Sequence, residues 1–311
     1  MRIHTTGKVT ENLHVLGSSA YPIYLLDLPQ QPAIFESGIS CLGQVYVEAV
    51  RSVLGDRQPA YLFISHAHWD HAGSAAYLKQ AFPDMQIAAS PLAAATLQRP
   101  GAVKVITQIN SEGLSFVKLE DGFDYARLIA EPFRTFEVDL PLHDGQVVEI
   151  DDTTSVQVLA TPGHTRDHLS YYLPRQRVLV AVEAGGYMSS SGQIEPEFVA
   201  DYDAYVESGR RLAQLPAEIL LQGHNIVFTG REEISDFFSR SIRETVAYHD
   251  RIYELLDQEQ GDIEQAVQRL KAERWDNVEG FKQDEYVYVL NLKAQVKHLA
   301  DRLKAKDSGR Q

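Results

Sequence analysis

The feature that most constrains this chain is a short apolar run, AYLFIS (60–65), that passes directly into SHAHWDHAG (65–73) and then into an Ala-rich stretch, AGSAAYLKQAF (72–82). A continuous apolar run of this length predicts a strand covered on both faces, the kind found in sheets flanked by helices. The Ala-rich stretch predicts a helix, so the residues between them form a strand-to-helix loop. Loops at the carboxyl ends of strands are where open α/β sheets tend to place their chemistry. Three of the chain's eleven histidines, His66, His68 and His71, fall on this loop together with Asp70.

The flanking sequence extends the same plan. LHVLG (13–17), YPIYLLDL (21–28) and PAIFESG (32–38) predict short strands of antiparallel hairpins, CLGQVYVEAVRSVLG (41–55) a helix, MQIAAS (85–90) a strand and PLAAATLQ (91–98) a short helix. Residues 99–136 read as partly helical and partly loop, with apolar groups around Phe116, Phe123, Leu128 and Phe133. LHDGQVVEI (142–150), TSVQVLAT (154–161), HLSYYL (168–173) and RVLVAVEA (177–184) are strands separated by turns at Asp144-Gly145 and Pro174-Arg175-Gln176. A helix at 201–215 and a strand, EILLQG (218–223), complete a second half that mirrors the first: strands, helix, strand.

Beyond His224 the pattern changes to amphipathic helices at 231–258, 262–273 and 284–304. The first carries Ile234, Phe238, Ile242, Val246, His249, Ile252 or Tyr253, and Leu256 at steps of three and four, and the third Tyr286, Val289, Leu292, Val296, Leu299 and Leu303. The expected organisation is an α/β domain over residues 1–230 and a C-terminal helical cap over 231–311, with the final KAKDSGRQ fraying.

Composition narrows the function classes. With 29 basic against 43 acidic side chains the net charge is −14, which opposes nucleic-acid binding and anionic membranes. The single cysteine, Cys41, fits a reducing compartment and is expected as a core or loop residue rather than a nucleophile. No signal-peptide run or membrane span is recognisable, so a cytoplasmic location is expected.

Three more candidate ligands stand at the ends of predicted strands: His164 in VLATPGHTRDH, Glu183 in VLVAVEAGG and His224 in ILLQGHN. With His66, His68, Asp70 and His71 they make a mixed nitrogen and oxygen donor set suited to Zn²⁺, Fe or Mn²⁺. Two such ions about 3.5 to 4 Å apart can lower the pKa of a water between them and polarise the bond it attacks.

His-x-His-x-Asp-His after a buried strand, followed by two later strand-end histidines, resembles the metallo-β-lactamase superfamily over about residues 10 to 228. The resemblance implies an αββα sandwich, two mixed sheets face to face with helices outside. It implies that His66, His68 and His164 hold one metal, that Asp70, His71 and His224 hold a second, and that Glu183 bridges them. It implies in addition that Asp70 orients the attacking hydroxide and shuttles its proton. The family normally has Gly-Asp where this chain reads Val182-Glu183. One extra methylene moves the carboxylate by about a bond length, against ligand distances held within about 0.2 Å. Glu183 therefore bridges, binds one metal only, or leaves the second site weak. FESGIS, ADYDAYVESGRRLAQLP and the C-terminal helices further resemble metallo-β-lactamase-fold thioesterases that act on an acyl-CoA.

The activity so implied is metal-dependent hydrolysis of a small ester or thioester, acyl-CoA-like substrates included, with no nucleic-acid or membrane partner and a homodimer left open. Two other classes stay open: a mononuclear iron dioxygenase of the same fold, and an interaction protein whose cap docks a regulator. His168 or Asp167 is expected to orient a ligand rather than to be one. Trp69 divides evenly between pocket wall and core. His249 is expected to pack, His4, His14, His143 and His298 to be surface or structural, and Tyr286 and Tyr288 to serve packing first.

Overall fold

Strands that are largely apolar on both faces cannot lie at a wet edge, and they do not. In the computed structural model, which describes residues 1–116, 125–129, 132–189, 192–224, 227–277 and 283–308, Pro22–Leu26, Leu169–Leu173 and Val178–Val180 are buried throughout. Val147–Asp151 alternates between exposed and buried positions, as a strand with one covered face must. The chain divides into two compact units. One comprises Met1–Ala160, Asp167–Val182 and Pro216–Arg231, and the other Thr161–Arg166, Glu183–Leu215 and Glu232–Gln311.

The first unit holds two seven-stranded mixed sheets. In one, Gly7–Lys8, Leu13–Gly17, Pro22–Leu26, Ala33–Phe35, Tyr61–Phe63, Gln86–Ala89 and Leu140–Pro141 lie side by side in chain order. Pairing is antiparallel as far as Ala33–Phe35 and parallel beyond it, with Phe35 opposite Phe63 and Leu62 opposite Ile87. Parallel neighbours need long crossovers; helices α1 (Gly43–Leu54), α2 (Ala75–Ala81), α3 (Pro91–Gln98) and α4 (Pro100–Phe116) supply them. The other sheet runs Arg2–Ile3, Val227–Thr229, Ile219–Leu221, Val178–Val180, Leu169–Leu173, Thr154–Ala160, Val147–Asp151, and its one parallel pair sets Val180 opposite Leu221.

The inner faces meet in a core that includes Leu13, Val15, Phe35 and Phe63 from one sheet and Val156, Val158, Tyr171 and Val180 from the other. Tyr171 packs its ring 5.8 and 5.2 Å from Phe35 and Phe63, and its hydroxyl donates to the Ile64 carbonyl at 2.6 Å. Tyr24 donates in the same way to the Gln222 carbonyl. Each buried aromatic side chain contributes about 1.5–3 kcal/mol through apolar burial. The two hydroxyls also fix the strand ends that lead into His66 and His224.

The second unit contains helices α5 (Tyr202–Ala213), α6 (Arg231–Gln258), α7 (Ile263–Lys271) and α8 (Glu285–Ser308), a π-helical turn at Ala272–Asp276, and a small hairpin, Tyr187–Met188 with Ile194–Glu195. It thus takes in more than the helical run after residue 230. Its core gathers Phe198, Tyr205, Tyr248, Ile252, Val267, Leu270, Leu292, Val296 and Leu299. The fold is the expected α/β sandwich with C-terminal helices. No described helix is long and apolar enough to cross a membrane.

The described part of residues 99–136 is partly helix and partly loop, as its sequence predicts: Pro100–Phe116 is one helix with Pro100 at its start, where a missing N–H costs nothing, and Tyr125–Arg127 is a 3₁₀ turn. Other details differ. The apolar position Phe123 lies outside the described residues. On α6 the buried stripe is Ile234, Phe237, Phe238, Ser241, Thr245, Tyr248, Ile252, Leu255 and Leu256, so Val246 faces outward and His249 sits at the stripe's margin, its ring 4.3 Å from that of Tyr202. Polar Ser241 and Thr245 are tolerated inside the stripe, which turns it by about one residue from the purely apolar pattern. On α8, Val287 is buried and Tyr286 exposed, and the helix runs to Ser308, with residues 309–311 of the tail outside the described residues.

Candidate metal centre

The loop after Tyr61–Phe63 is laced to the segment after Ala33–Phe35. Ser37 donates from its backbone N and its Oγ to the His71 carbonyl, both at 2.8 Å; Gly73 N donates to the Gly38 carbonyl at 2.9 Å and Ser74 Oγ to the Ile39 carbonyl at 2.6 Å. Within the loop, Ala72 N donates to the His68 carbonyl at 3.0 Å, which closes a tight turn. The turn brings the imidazoles together: the ring of His66 lies 4.5 Å from that of His68 and 4.4 Å from that of His71. His224, at the end of Ile219–Leu221, comes within 5.8 Å of His71, ring to ring.

Glu36 organises this cluster. It is almost fully buried and adopts a left-handed backbone at φ 67°, a conformation uncommon for a non-glycine residue. One carboxylate oxygen accepts from Ser65 N at 3.1 Å; the other accepts from Ser65 Oγ at 3.0 Å and from His71 Nδ1 at 2.8 Å. A carboxylate can only accept, so His71 carries its proton on Nδ1 and presents the Nε2 lone pair. Ser65 Oγ, already donating to Glu36, accepts from His66 Nδ1 at 2.8 Å, which fixes the same tautomer there. His224 Nδ1 donates to the Ala20 carbonyl at 2.6 Å. Asp70 Oδ2 lies 3.7 Å from His71 Nε2 and 3.5 Å from His224 Nε2.

One ligand atom each from Asp70, His71 and His224 lie within 4.8 Å of one another. Two imidazole nitrogens and a carboxylate oxygen, with each ring's other nitrogen committed to an acceptor, are donors for a borderline divalent ion, and the set fits one. His66 and His68 add two further imidazoles beside it.

His164 and Glu183 belong to the second unit. His164 is buried, and its Nδ1 donates to the Glu197 carbonyl at 2.6 Å, the tautomer found for the other three rings. Its loop rests on the start of α5: Ala200 N and Asp201 N both donate to the Gly163 carbonyl at 3.0 Å. Gly163, at φ 133°, has no room for a side chain, because a Cβ there would meet Tyr205 Cα at 2.3 Å. Glu183 is buried in a turn closed by Gly186 N donating to the Glu183 carbonyl at 2.9 Å. Val182 before it sits at φ 42°, an outlier for a β-branched residue, at the position where the family normally has glycine.

Asp167 and His168 flank the loop. Asp167 Oδ2 accepts from Ala67 N at 2.9 Å, and His168 stacks its ring 4.9 Å from His66. Trp69 is core, packed edge-on against Tyr21 at 5.6 Å. Cys41 is buried, and burial pushes its thiol up to about 12, so it holds no thiolate at neutral pH. His298 is structural, its Nε2 accepting from Tyr202 N at 3.1 Å. Glu36 was the functional residue missing from the sequence reading; the available signal was an acidic residue one position past an apolar strand, next to Ser-Gly.

The family model of the metallo-β-lactamase superfamily matches residues 19–224, about two thirds of the sequence, and the chain belongs to that superfamily. It is 24% identical over 260 residues to a probable metallo-hydrolase, YflN, of Bacillus subtilis, an alignment covering 74% of this chain and 89% of that one. It is 29% identical over 151 residues to a hydroxyacylglutathione hydrolase of Rhodopseudomonas palustris, covering 42% of this chain and 57% of that enzyme's length. Among solved structures, an archaeal metallo-β-lactamase superfamily protein from Sulfolobus tokodaii superposes with a TM-score of 0.57 at 15% identity, over 94% of this chain and 99% of its own.

Proposed function

We propose that this chain is a metal-dependent hydrolase of an ester or thioester, in which His66, His68 and His164 would hold one divalent ion and Asp70, His71 and His224 a second, with Glu183 bridging them, binding one ion only, or leaving the second site weak. The observation that carries the reading is the Asp70, His71 and His224 group, gathered within 4.8 Å with both Nε2 atoms directed at the carboxylate. Zinc, iron or manganese there would supply Lewis acidity and lower the pKa of a water. With such an ion bound, Asp70 would hold that water by a hydrogen bond, accept its proton and return it to the leaving group. Glu36 and the Ala20 carbonyl keep the two rings turned for ligation while it does so.

A thioester is favoured over a β-lactam by the hydroxyacylglutathione hydrolases among the relatives and by the similarity of FESGIS and the C-terminal helices to a thioesterase acting on an acyl-CoA. The lone cysteine agrees with a cytoplasmic enzyme.

The test is metal analysis of anaerobically purified protein with a panel of acyl-CoA and glutathione thioesters, a phosphodiester and a β-lactam. Thioester turnover is expected, and the double variant His66→Ala, His68→Ala should lose both turnover and tight metal binding. Oxygen uptake with a thiol or persulfide substrate and no thioester cleavage would replace the reading with a dioxygenase.

A further inference from the structure

The loop carrying His164 receives its anchor from the helices at the far end of the sequence. The Glu197 carbonyl that accepts from His164 Nδ1 lies on a short strap, residues 194–198, that starts as the second strand of the hairpin and leads into α5. Gln295 of α8, itself almost fully buried, donates from Nε2 to the Pro196 carbonyl at 2.8 Å, the residue adjacent to Glu197. Its other end is held as well, because Gln295 Oε1 accepts from the Tyr248 hydroxyl of α6 at 2.9 Å. Arg274, in the π-helical turn, donates from Nη2 to the Ile194 carbonyl at 3.1 Å and to Glu195 Oε2 at 3.2 Å, and its guanidinium lies 5.0 Å from the centre of the Tyr248 ring. Glu197 N donates to the Tyr205 hydroxyl of α5 at 3.1 Å. Every peptide of the strap from Ile194 to Glu197 is thus tied to a helix by a side chain, through a backbone group or, at Glu195, through the carboxylate.

We propose that Gln295 and Arg274 are positioning residues for the His164 imidazole, acting through the strap so that the C-terminal helices set the tautomer and aim of a metal ligand about 130 positions earlier. The inference rests on the reading of His164 as a ligand. The chemistry is that of a histidine whose Nδ1–H is donated to a fixed carbonyl: the proton stays on Nδ1 and the Nε2 lone pair stays available. If the carbonyl drifts, the neutral ring samples both tautomers, and the one protonated on Nε2 cannot ligate through that nitrogen. Gln295 is suited to the task because its amide offers a donor and an acceptor at fixed separation, one used on the strap and one on α6. Losing it would leave a buried carbonyl and a buried phenol without their partner, so the strap would relax toward other donors.

The experiment uses the full chain labelled with ¹⁵N-histidine. Long-range ¹H–¹⁵N spectra of the metal-free protein near pH 8 report the His164 tautomer, and competition against a chelating dye reports zinc affinity. Wild type should show His164 protonated on Nδ1. Gln295→Leu should give a mixture of tautomers and a zinc affinity lower by about 10- to 100-fold, the usual scale for loss of an outer partner of a ligand. Gln295→Glu keeps the acceptor for Tyr248 and removes the donor to Pro196, and should move the His164 signal in the same direction; it carries the test if Gln295→Leu fails to accumulate. Leu270→Ala, a cavity in the same helical core, is the control: it should lower the melting temperature and leave the His164 pattern unchanged. An unaltered His164 tautomer in both Gln295 variants would overturn the inference, and so would an equal change in Leu270→Ala. A His164→Ala variant that keeps wild-type zinc affinity would refute the ligand assignment instead, while the spectra would still decide whether the helices hold the ring.

Discussion

The two units secure their histidines by the same device with different materials. In the sheet unit the acceptor for His71 is a side chain, Glu36, and that for His224 is the Ala20 carbonyl beside the edge of a strand. Both lie within a few residues of a sheet whose hydrogen bonds hold them. In the helical unit the acceptor for His164 is a carbonyl two residues past a two-residue strand of the small hairpin, and it depends on side chains of α5, α6, α8 and the π-helical turn. A sheet locates backbone groups by its ladder, whereas helices locate a foreign segment only through their side chains. The second arrangement is therefore exposed to single substitutions far from the ligand.

Substitutions at four positions break or sharpen that contrast. Gly163→Ala should do the most damage, since the added methyl meets the backbone of α5 at 2.3 Å and the residue keeps φ 133°. A loss of about 3 kcal/mol or more in urea unfolding is expected, with zinc affinity reduced at the His164 site only. Glu36→Gln keeps the volume but cannot accept from all three donors. It should cost about 1–3 kcal/mol and about 10- to 100-fold in metal affinity, and the His164 ring should keep its tautomer in ¹⁵N spectra. A changed His164 signal there would show that the two supports are not independent.

At Val182 the left-handed backbone costs a non-glycine residue about 1–2 kcal/mol, while the buried side chain contributes a similar amount through its packing. Val182→Gly should therefore change unfolding free energy by less than about 1 kcal/mol, and Val182→Ala, which loses packing without relieving the backbone, should be the less stable of the two. Asp203→Asn is the mildest. The hydrogen bond from Arg302 holds the Asp203 carboxyl below its ordinary value, but the carboxylate is two-thirds exposed. Such a pair contributes less than about 1 kcal/mol. Because the folded value is depressed, the contribution is complete well above about pH 4, where unfolded aspartate is ionised, and fades as pH falls through the folded value. Melting curves of wild type and variant should converge in that acid range.

The strands at 13–17, 22–26 and 169–173 and helix α3 follow the sequence pattern closely because their apolar spacing has one structural solution. The strand-end positions of the histidine cluster, His164, Glu183 and His224 were legible for the same reason. What periodicity could not reveal depends on long-range partners. Glu36 has three donors, from Ser65 and His71, some thirty residues away. The strand Val227–Thr229 has only three residues and exists through pairing with Ile219–Leu221 and Arg2–Ile3. Polar Ser241 and Thr245 on the buried side of α6 displaced the apparent stripe. The strained backbone at Val182 left no mark in the sequence except the missing glycine.

That Thr161–Arg166 groups with the helices rather than with the sheets has a consequence for engineering and for descent. The tail after residue 230 is not an interchangeable lid, because grafting another in its place would unmoor a loop that sits among the strands in sequence. Relatives that exchange or shorten this tail must either furnish a substitute cradle for the loop or accept a softer grip on whatever it holds.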